Sequence, residues 1–436
     1  MNIILLSGGS GKRLWPLSND IRSKQFIKMF VNEKGEYESM IQRVYRQIKT
    51  VDPDANITIA TSKKQTSAIN NQLADSVSVC VEPARRDTFP AIILASSYLK
   101  SVKRIDDNEP VIVCPIDPYV DYDYFHALKK LYELARIGDH NISLLGIEAT
   151  YPSEKYGYII PKSMDLVSEV ESFVEKPDKI KAQEYIDHGG LWNSGIFAFK
   201  LGYILNIAHK FVEFDNYKDI YDKYETIDKI SFDYAVVEKE KSINVMRFNG
   251  RWKDIGSWNT FSEEMHEAVI GKVVLDDTCE NTNVVNELNI PILCMGCKNM
   301  IIAASCDGIL VSDKSQSSYM KPYVSEFDQQ IMYAEKSWGS FTVLDVHDDS
   351  MTIRIVLQPG HGLHYHSHQH RDEVWTVVSG KGNAVIDGEK SIVKAGDVIT
   401  MNAGCKHTVF AETELHIVEV QLGNIDVNDK TKYDFF

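Results

Sequence analysis

A glycine-rich turn, carboxylates at strand ends and alternating histidines are the places where this sequence could do chemistry. Ser7-Gly8-Gly9-Ser10-Gly11-Lys12-Arg13 follows directly on the apolar run Asn2–Leu6. Glycines at 8, 9 and 11 let the backbone approach a phosphate closely and aim its N–H groups at it. Arg13 adds a bidentate phosphate contact and Lys24 a point charge. The spacing is neither the G-x-G-x-x-G dinucleotide fingerprint nor a P-loop. Val111-Ile112-Val113-Cys114-Pro115-Ile116-Asp117 is an apolar strand ending in an acid, at the edge where open α/β sheets bind ligands. Asp254, in Arg251-Trp252-Lys253-Asp254, is a second candidate. Magnesium prefers such oxygens and takes one or two carboxylates together with substrate phosphates. Much later in the chain, His366 and His368 alternate. On a strand both would point to one side, where imidazoles suit zinc, iron, nickel or manganese.

These residues need a scaffold larger than one ordinary core. The chain has 436 residues, which predicts two or three domains. Short β-rich runs (Ile57–Ala60, Val77–Val81, Val111–Cys114, Ser143–Gly146) alternate with helical stretches such as Met40–Lys49 and Ala91–Lys103. That pattern predicts an α/β fold with a mixed, mostly parallel sheet covered on both faces. Near residue 270 the texture changes to short β-rich runs separated by Asn, Asp and Gly, as in a solenoid or a small β-cap. From about residue 336 nearly everything is short strands with glycine turns, the pattern of a small β-barrel. The expected division is 1–268, a β-rich connector and linker at 269–335, and an all-β barrel at 336–436.

Composition narrows the function. The formal net charge of −15 argues against non-specific nucleic-acid binding, so polyanionic substrates would need local Lys, Arg or metal ions. No apolar run is long enough for a membrane span, and the N-terminus lacks the basic start of a signal peptide. Seven cysteines, an odd number without a small-domain framework, fit reduced thiols and a cytoplasmic location. Cys294-Met295-Gly296-Cys297, flanked by Cys279 and Cys306, is spaced irregularly for zinc and reads as core packing.

The string Gly8-Gly9-Ser10-Gly11-Lys12-Arg13-Leu14-Trp15-Pro16-Leu17-Ser18, followed by Lys24-Gln25-Phe26, resembles the signature of sugar nucleotidylyltransferases. Within them it resembles the bifunctional bacterial mannose-1-phosphate guanylyltransferases, and the likeness runs through the whole chain. The resemblance implies a Rossmann-like transferase domain. It also implies that Asp117 and Asp254 hold Mg²⁺, that Lys176 binds the sugar's phosphate, and that Glu175 and Asn193 read its hydroxyls. Gly157, in Tyr156-Gly157-Tyr158-Ile159, matches the family's glycine turn near the sugar. GTP and a sugar 1-phosphate are then the substrates, and a homodimer is suggested. Glu82, in a segment resembling the one beside the base, could accept from the two adjacent donors of guanine. Lys12, Ser23 and Pro118 stand where the family usually has Thr, Pro and His. Another sugar or base, or a non-catalytic sugar-nucleotide sensor, therefore remains as an alternative.

Gly360, His366, His368, Glu373 and Gly380, then Gly396 and His407, carry the spacing of cupin barrels. That likeness implies a metal held by His366, His368, Glu373 and His407. The barrel resembles the phosphomannose isomerase half of the bifunctional enzymes, which implies a second activity. His366 and Val374 replace the family's usual Gln and His, and the chain ends Lys432-Tyr433-Asp434-Phe435-Phe436 without the usual arginine that would bind substrate phosphate. A regulatory or structural barrel is the alternative to an isomerase.

Overall fold

The computed structural model describes residues 1–436 except Ser10, Gly11, Asp328, Gln329, Asn424, Val427, Asn428, Phe435 and Phe436, and the side chain of Asp75. It divides into two compact units, residues 1–10 with 25–266, and 11–24 with 267–436.

The first unit is built on a nine-stranded sheet. Its order is Ser78–Glu82, Asn56–Ser62, Asn2–Leu6, Pro110–Pro115, Leu191–Lys200, Ile142–Glu148, Ile243–Phe248, Val167–Val174, Tyr158–Pro161. The first four strands pair in parallel, as does Ile142–Glu148 with Ile243–Phe248. Leu191–Lys200 runs antiparallel to both its neighbours, and the strands at the far edge are antiparallel as well. Ile3, Ile4 and Leu5 are wholly buried, as a strand covered on both faces requires. Helix Thr88–Ser101 packs on Leu201–Ala208, Tyr217–Lys223 and Phe232–Ala235, while Tyr122–Ile137 packs on Met40–Val51. The last of these starts at a reciprocal cap. Ser39 accepts from the Gln42 N–H and the Gln42 side chain accepts from the Ser39 N–H.

In the second unit, Val269–Ile270, Asn283–Asn286 and Met300–Ser305 pair in parallel, as do Val273–Leu275 and Ile292–Cys294. Stacked short parallel strands are the solenoid form of the connector. Cys294 is buried beside Val284 and Ile302, with Cys279 and Cys297 packed against them, so these thiols fill a small core. The arm after the glycine loop belongs to this unit: Ser305 donates to the Pro16 carbonyl at 2.7 Å, Asn19 to Asp307 at 2.8 Å, and Arg22 grips Glu287 with two bonds of 2.7 and 2.9 Å. The C-terminal barrel is two antiparallel sheets of six and five strands around Trp375, Leu357, Val409 and Leu415. Between connector and barrel lie a 3₁₀ turn, Ser317–Tyr319, and a short helix, Lys321–Val324, within the stretch expected to be a linker. Among the described residues no helix is long and apolar enough to cross a membrane.

Candidate functional site

The glycine loop leaves the end of Asn2–Leu6 with Ser7 anchored beneath it. The Ser7 N–H donates to the Ala60 carbonyl at 2.9 Å, and Gln25 donates to its hydroxyl at 3.0 Å. A Cβ at Gly8 or Gly9 would meet nothing within 4 Å, and Gly9 has φ +146°, so the backbone faces open space there in a conformation that favours glycine. Gly11 lies outside the described residues. Arg13 is exposed in a turn and Lys24 opens a short 3₁₀ turn. Both belong to the 11–24 segment of the second unit.

Asp117 and Asp254 are brought together by pairing. The short strands Pro118–Val120 and Trp252–Asp254 are antiparallel, with Asp254 opposite Pro118. Pro118, where the resemblance expects His, thus acts as the strand partner of one acid and the chain neighbour of the other. Tyr156 sits against this pair. Burial first, then the charges of Asp254 and Asp117, push its phenol well above the usual range. Its ring lies 5.1 Å from that of Trp192 and 5.4 Å from that of Trp252. Tyr156 precedes Gly157, Trp192 precedes Asn193, and Trp252 leads to Asp254. This aromatic cluster therefore ties the segments that carry Gly157 and Asn193 to the strand that carries Asp254.

Gly157, Glu175 and Asn193 are packed to tight tolerance. Asn193 donates its backbone N–H to the Gly157 carbonyl at 2.8 Å. A Cβ on Gly157 would lie 2.5 Å from Glu175 Oε2 and 3.1 Å from the Phe173 ring. Glu175 is paired with Lys176 at 2.5 Å. Lys176 has φ +46°, a left-handed backbone that a non-glycine residue holds at some cost, as at other functional turns. Asn193 also donates to Asp233 Oδ1 at 2.7 Å. Asp233 was not among the residues expected from the sequence. Burial pushes its carboxyl up to about 6, with the Glu175 charge adding to the rise and the Asn193 bond opposing it. Its one signal is an acid set among the apolar residues Ile230, Phe232, Ala235 and Val236.

Glu82 lies at the end of its strand. Tyr224 donates to its Oε2 at 2.7 Å, and burial raises its carboxyl despite that bond and the Arg85 charge. Arg85 in turn donates to the Gly9 carbonyl at 3.3 Å, which links this acid to the glycine loop.

In the barrel, His366, His368, Glu373 and His407 are all buried, and one ligand atom from each lies within 4.8 Å of the others. His366 and His407 are opposite residues on paired strands. Each imidazole directs Nδ1 at a carbonyl: His366 to His364 at 2.6 Å, His407 to Cys405 at 3.1 Å, and His368 to Asp429. A nitrogen facing a carbonyl must carry the proton, which leaves Nε2 as the lone-pair donor. The Nε2 atoms of His368 and His407 then face the Glu373 oxygens at 3.1 Å each. Among the described residues both Glu373 oxygens and His407 Nε2 are buried without a hydrogen-bond partner, with Arg371 Nε 3.3 Å from Glu373 Oε1 as an ion pair. Converging acceptors of this kind fit a cation, and three imidazoles with one carboxylate fit a divalent transition metal. Arg371 borders the cluster, 3.0 Å from His368 Nε2. Glu419 accepts from the Trp375 indole at 3.0 Å and from Gln421. Burial, then the Glu373 charge, raises its carboxyl to about 7.

The nucleotidyl transferase family matches residues 2–269, and the C-terminal region of mannose-6-phosphate isomerases matches residues 325–433. A mannose-1-phosphate guanylyltransferase of Escherichia coli (strain K12) is 28% identical, covering 97% of this chain and 95% of its own length. The alginate biosynthesis protein AlgA of Pseudomonas fluorescens is 29% identical, with 97% and 93% covered. A crystal structure of a mannose-1-phosphate geranyltransferase from Thermus thermophilus superposes with a TM-score of 0.63 at 25% identity, over 75% of this chain and 99% of that one. With more than half of its length matched by that family, the chain is an enzyme that belongs to the nucleotidyl transferase family.

Proposed function

We propose that this enzyme transfers GMP from GTP to α-D-mannose 1-phosphate, giving GDP-mannose and pyrophosphate. The observation that carries the proposal is the pairing of Trp252–Asp254 with Pro118–Val120, which puts Asp254 opposite Pro118, the chain neighbour of Asp117. The guanylyltransferase name of the Escherichia coli relative supports the choice of base and sugar. An oxygen of the sugar 1-phosphate attacks the α-phosphorus in line, the bond to the β-phosphate oxygen breaks, and pyrophosphate leaves. No protein nucleophile is needed, so catalysis is positioning and charge neutralisation. Glu175 and Asn193 orient the sugar, Lys176 holds its phosphate, and Gly8, Gly9 and Gly11 admit the triphosphate with Arg13 and Lys24 as counter-charges. Asp117 and Asp254 would hold Mg²⁺, which supplies further charge neutralisation when bound. Glu82 would accept from guanine with the capacity it does not use for Tyr224.

The barrel supports a second activity, interconversion of mannose 6-phosphate and fructose 6-phosphate. The buried cluster of three histidines and Glu373 favours it. His366, His368, Glu373 and His407 would hold zinc, iron, nickel or manganese, a Lewis acid able to polarise the sugar's carbonyl oxygen. The working division remains 1–268 for transfer, 269–335 as connector and 336–436 for the barrel. We place the enzyme in the cytoplasm, in keeping with its seven free thiols, as a homodimer.

The test is pyrophosphate release with Mg²⁺, five nucleoside triphosphates and a panel of mannose, glucose, fucose and heptose 1-phosphates. Turnover peaking at GTP with mannose 1-phosphate is expected. A peak at another pair would replace the substrates and keep the mechanism; binding without turnover would favour a sensor. Loss of the GTP preference in Glu82→Gln is expected, and an unchanged preference removes Glu82 from base selection.

A further inference from the structure

A sugar phosphate offers a binding site two handles, a polar chain of oxygens and a dianionic phosphate. The histidine and glutamate cluster suits the first. The second calls for cations near that cluster, beyond Arg371.

The last strand of the barrel supplies another source. Thr431–Lys432 pairs antiparallel with His366–Ser367, and Lys432 lies directly opposite His366. Opposed residues on antiparallel strands share a face. Lys432 therefore starts from the face that carries His366, and Lys430 immediately precedes this two-residue strand. Their charges register there. Both lysines act on His364, and Lys430 also acts on His366, Glu419 and Glu373. Lys430 exposes much of its surface as a residue, yet its ammonium is crowded by these groups. Loss of hydration lowers its pKa although two acids oppose the fall. Among the described residues neither ammonium has a hydrogen-bond or ion-pair partner.

The lysines do not sit on a loose tail. The Asp429 carboxylate accepts from the backbone N–H groups of Gln369 and His370 at 2.9 Å each, and its carbonyl takes the Nδ1 proton of His368. On the other side, Tyr433 donates its N–H to the Tyr365 carbonyl at 2.9 Å. The strand that presents the lysines is thus tied to the loop that presents the histidines. Arg371, 9% exposed, adds a third cation beside the cluster.

We propose that Lys430 and Lys432 form the phosphate anchor of the barrel, binding a phosphomonoester whose polyol end reaches the cluster of His366, His368, Glu373 and His407. Two ammonium groups match the −1.5 to −2 charge of a phosphomonoester near neutral pH, roughly twice that of a sugar acid. The identity of the sugar rests on the isomerase reading above; the anchor itself does not.

The experiment is calorimetric titration of the metal-loaded full chain, its transferase site saturated with GDP-mannose, by mannitol 6-phosphate, mannitol and gluconate. Wild type should bind the phosphate ester and show no measurable affinity for the other two. Lys430→Gln and Lys432→Gln should each weaken it roughly 10-fold and the double variant roughly 100-fold, in line with loss of charge-assisted bonds. Metal content and pyrophosphate release should stay at wild-type levels, and Lys430→Arg with Lys432→Arg should restore binding. Unchanged affinity in the double glutamine variant overturns the anchor, and so does a loss of metal that the arginine variants share, since that marks a structural role. The two ideas separate cleanly. Lysine-dependent binding without mannose 6-phosphate turnover supports the anchor and removes the isomerase. Turnover with an unchanged KM in the double variant supports the isomerase and removes the anchor.

Discussion

Replacing Gly157 by alanine tests the sugar-contact geometry with a single methyl group. The backbone at Gly157 is not among the positive-φ glycines, so alanine can adopt its conformation. The new Cβ would stand 2.5 Å from Glu175 Oε2, roughly 1 Å inside ordinary contact. The atom in the way is the end of a flexible side chain, so the carboxylate should retreat while the fold stays. Phe173, at 3.1 Å, would have to give only slightly. If Glu175 binds a sugar hydroxyl as a charged acceptor, losing that bond costs about 1.5–3 kcal/mol. That corresponds to a fall of roughly 10- to 150-fold in kcat/KM for the sugar 1-phosphate. The KM for the nucleotide should be unchanged. Stability should hold or rise slightly, because alanine restricts the unfolded chain by about 0.4–1 kcal/mol relative to glycine. The assay is pyrophosphate release at varied sugar phosphate, with thermal melting as the control. Wild-type kcat/KM at an unchanged Tm would refute the role given to Glu175. A large drop in Tm would show that the backbone, not the carboxylate, had moved.

Asp254→Asn should lower kcat roughly 100-fold or more while binding of GTP alone persists, because the lost carboxylate is proposed to serve charge neutralisation during transfer; nucleotide titration and turnover separate the two. His368→Ala should abolish transition-metal content, read by elemental analysis, and leave pyrophosphate release intact. Asp233→Asn should change the pH dependence of stability. The folded carboxyl titrates at about 6 against an ordinary 3.8, so the folded state binds the proton more tightly. Wild type therefore loses stability as pH rises from about 4 to about 6, whereas the asparagine variant lacks that slope; thermal melts across this window measure it, and parallel curves would count against a buried, strained acid. A chelator should lower the melting temperature of the barrel by removing a ligand bound only to the folded state, with restoration on adding metal back.

Much of the scaffold was readable because its signals are local. The apolar runs at Ile57–Ala60 and Val111–Cys114 lie inside observed strands of 56–62 and 110–115, and the helical stretch from Met40 begins at a cap visible in Ser39 and Gln42. The glycine loop and the alternating histidines are equally local, since a turn needs its glycines in sequence and a strand places i and i+2 on one face. The antiparallel pairing of Leu191–Lys200 with its neighbours was not foreseen, because a buried strand looks the same from either direction.

The sequence by itself determined the classes of element, the residue types able to bind phosphate and metal, and a family resemblance strong enough to name the chemistry. Only the tertiary structure decided which of those residues meet. Asp254 reaches Asp117 through two three-residue strands too short to announce themselves, and Asn193 finds Asp233 across 40 residues. Lys432 comes opposite His366 only because the last strand pairs beside it at the sheet edge. The physical reason is common to all three. Spacing along the chain specifies a face or a turn, while contacts between distant segments depend on strand register, which is set by the burial of the whole core.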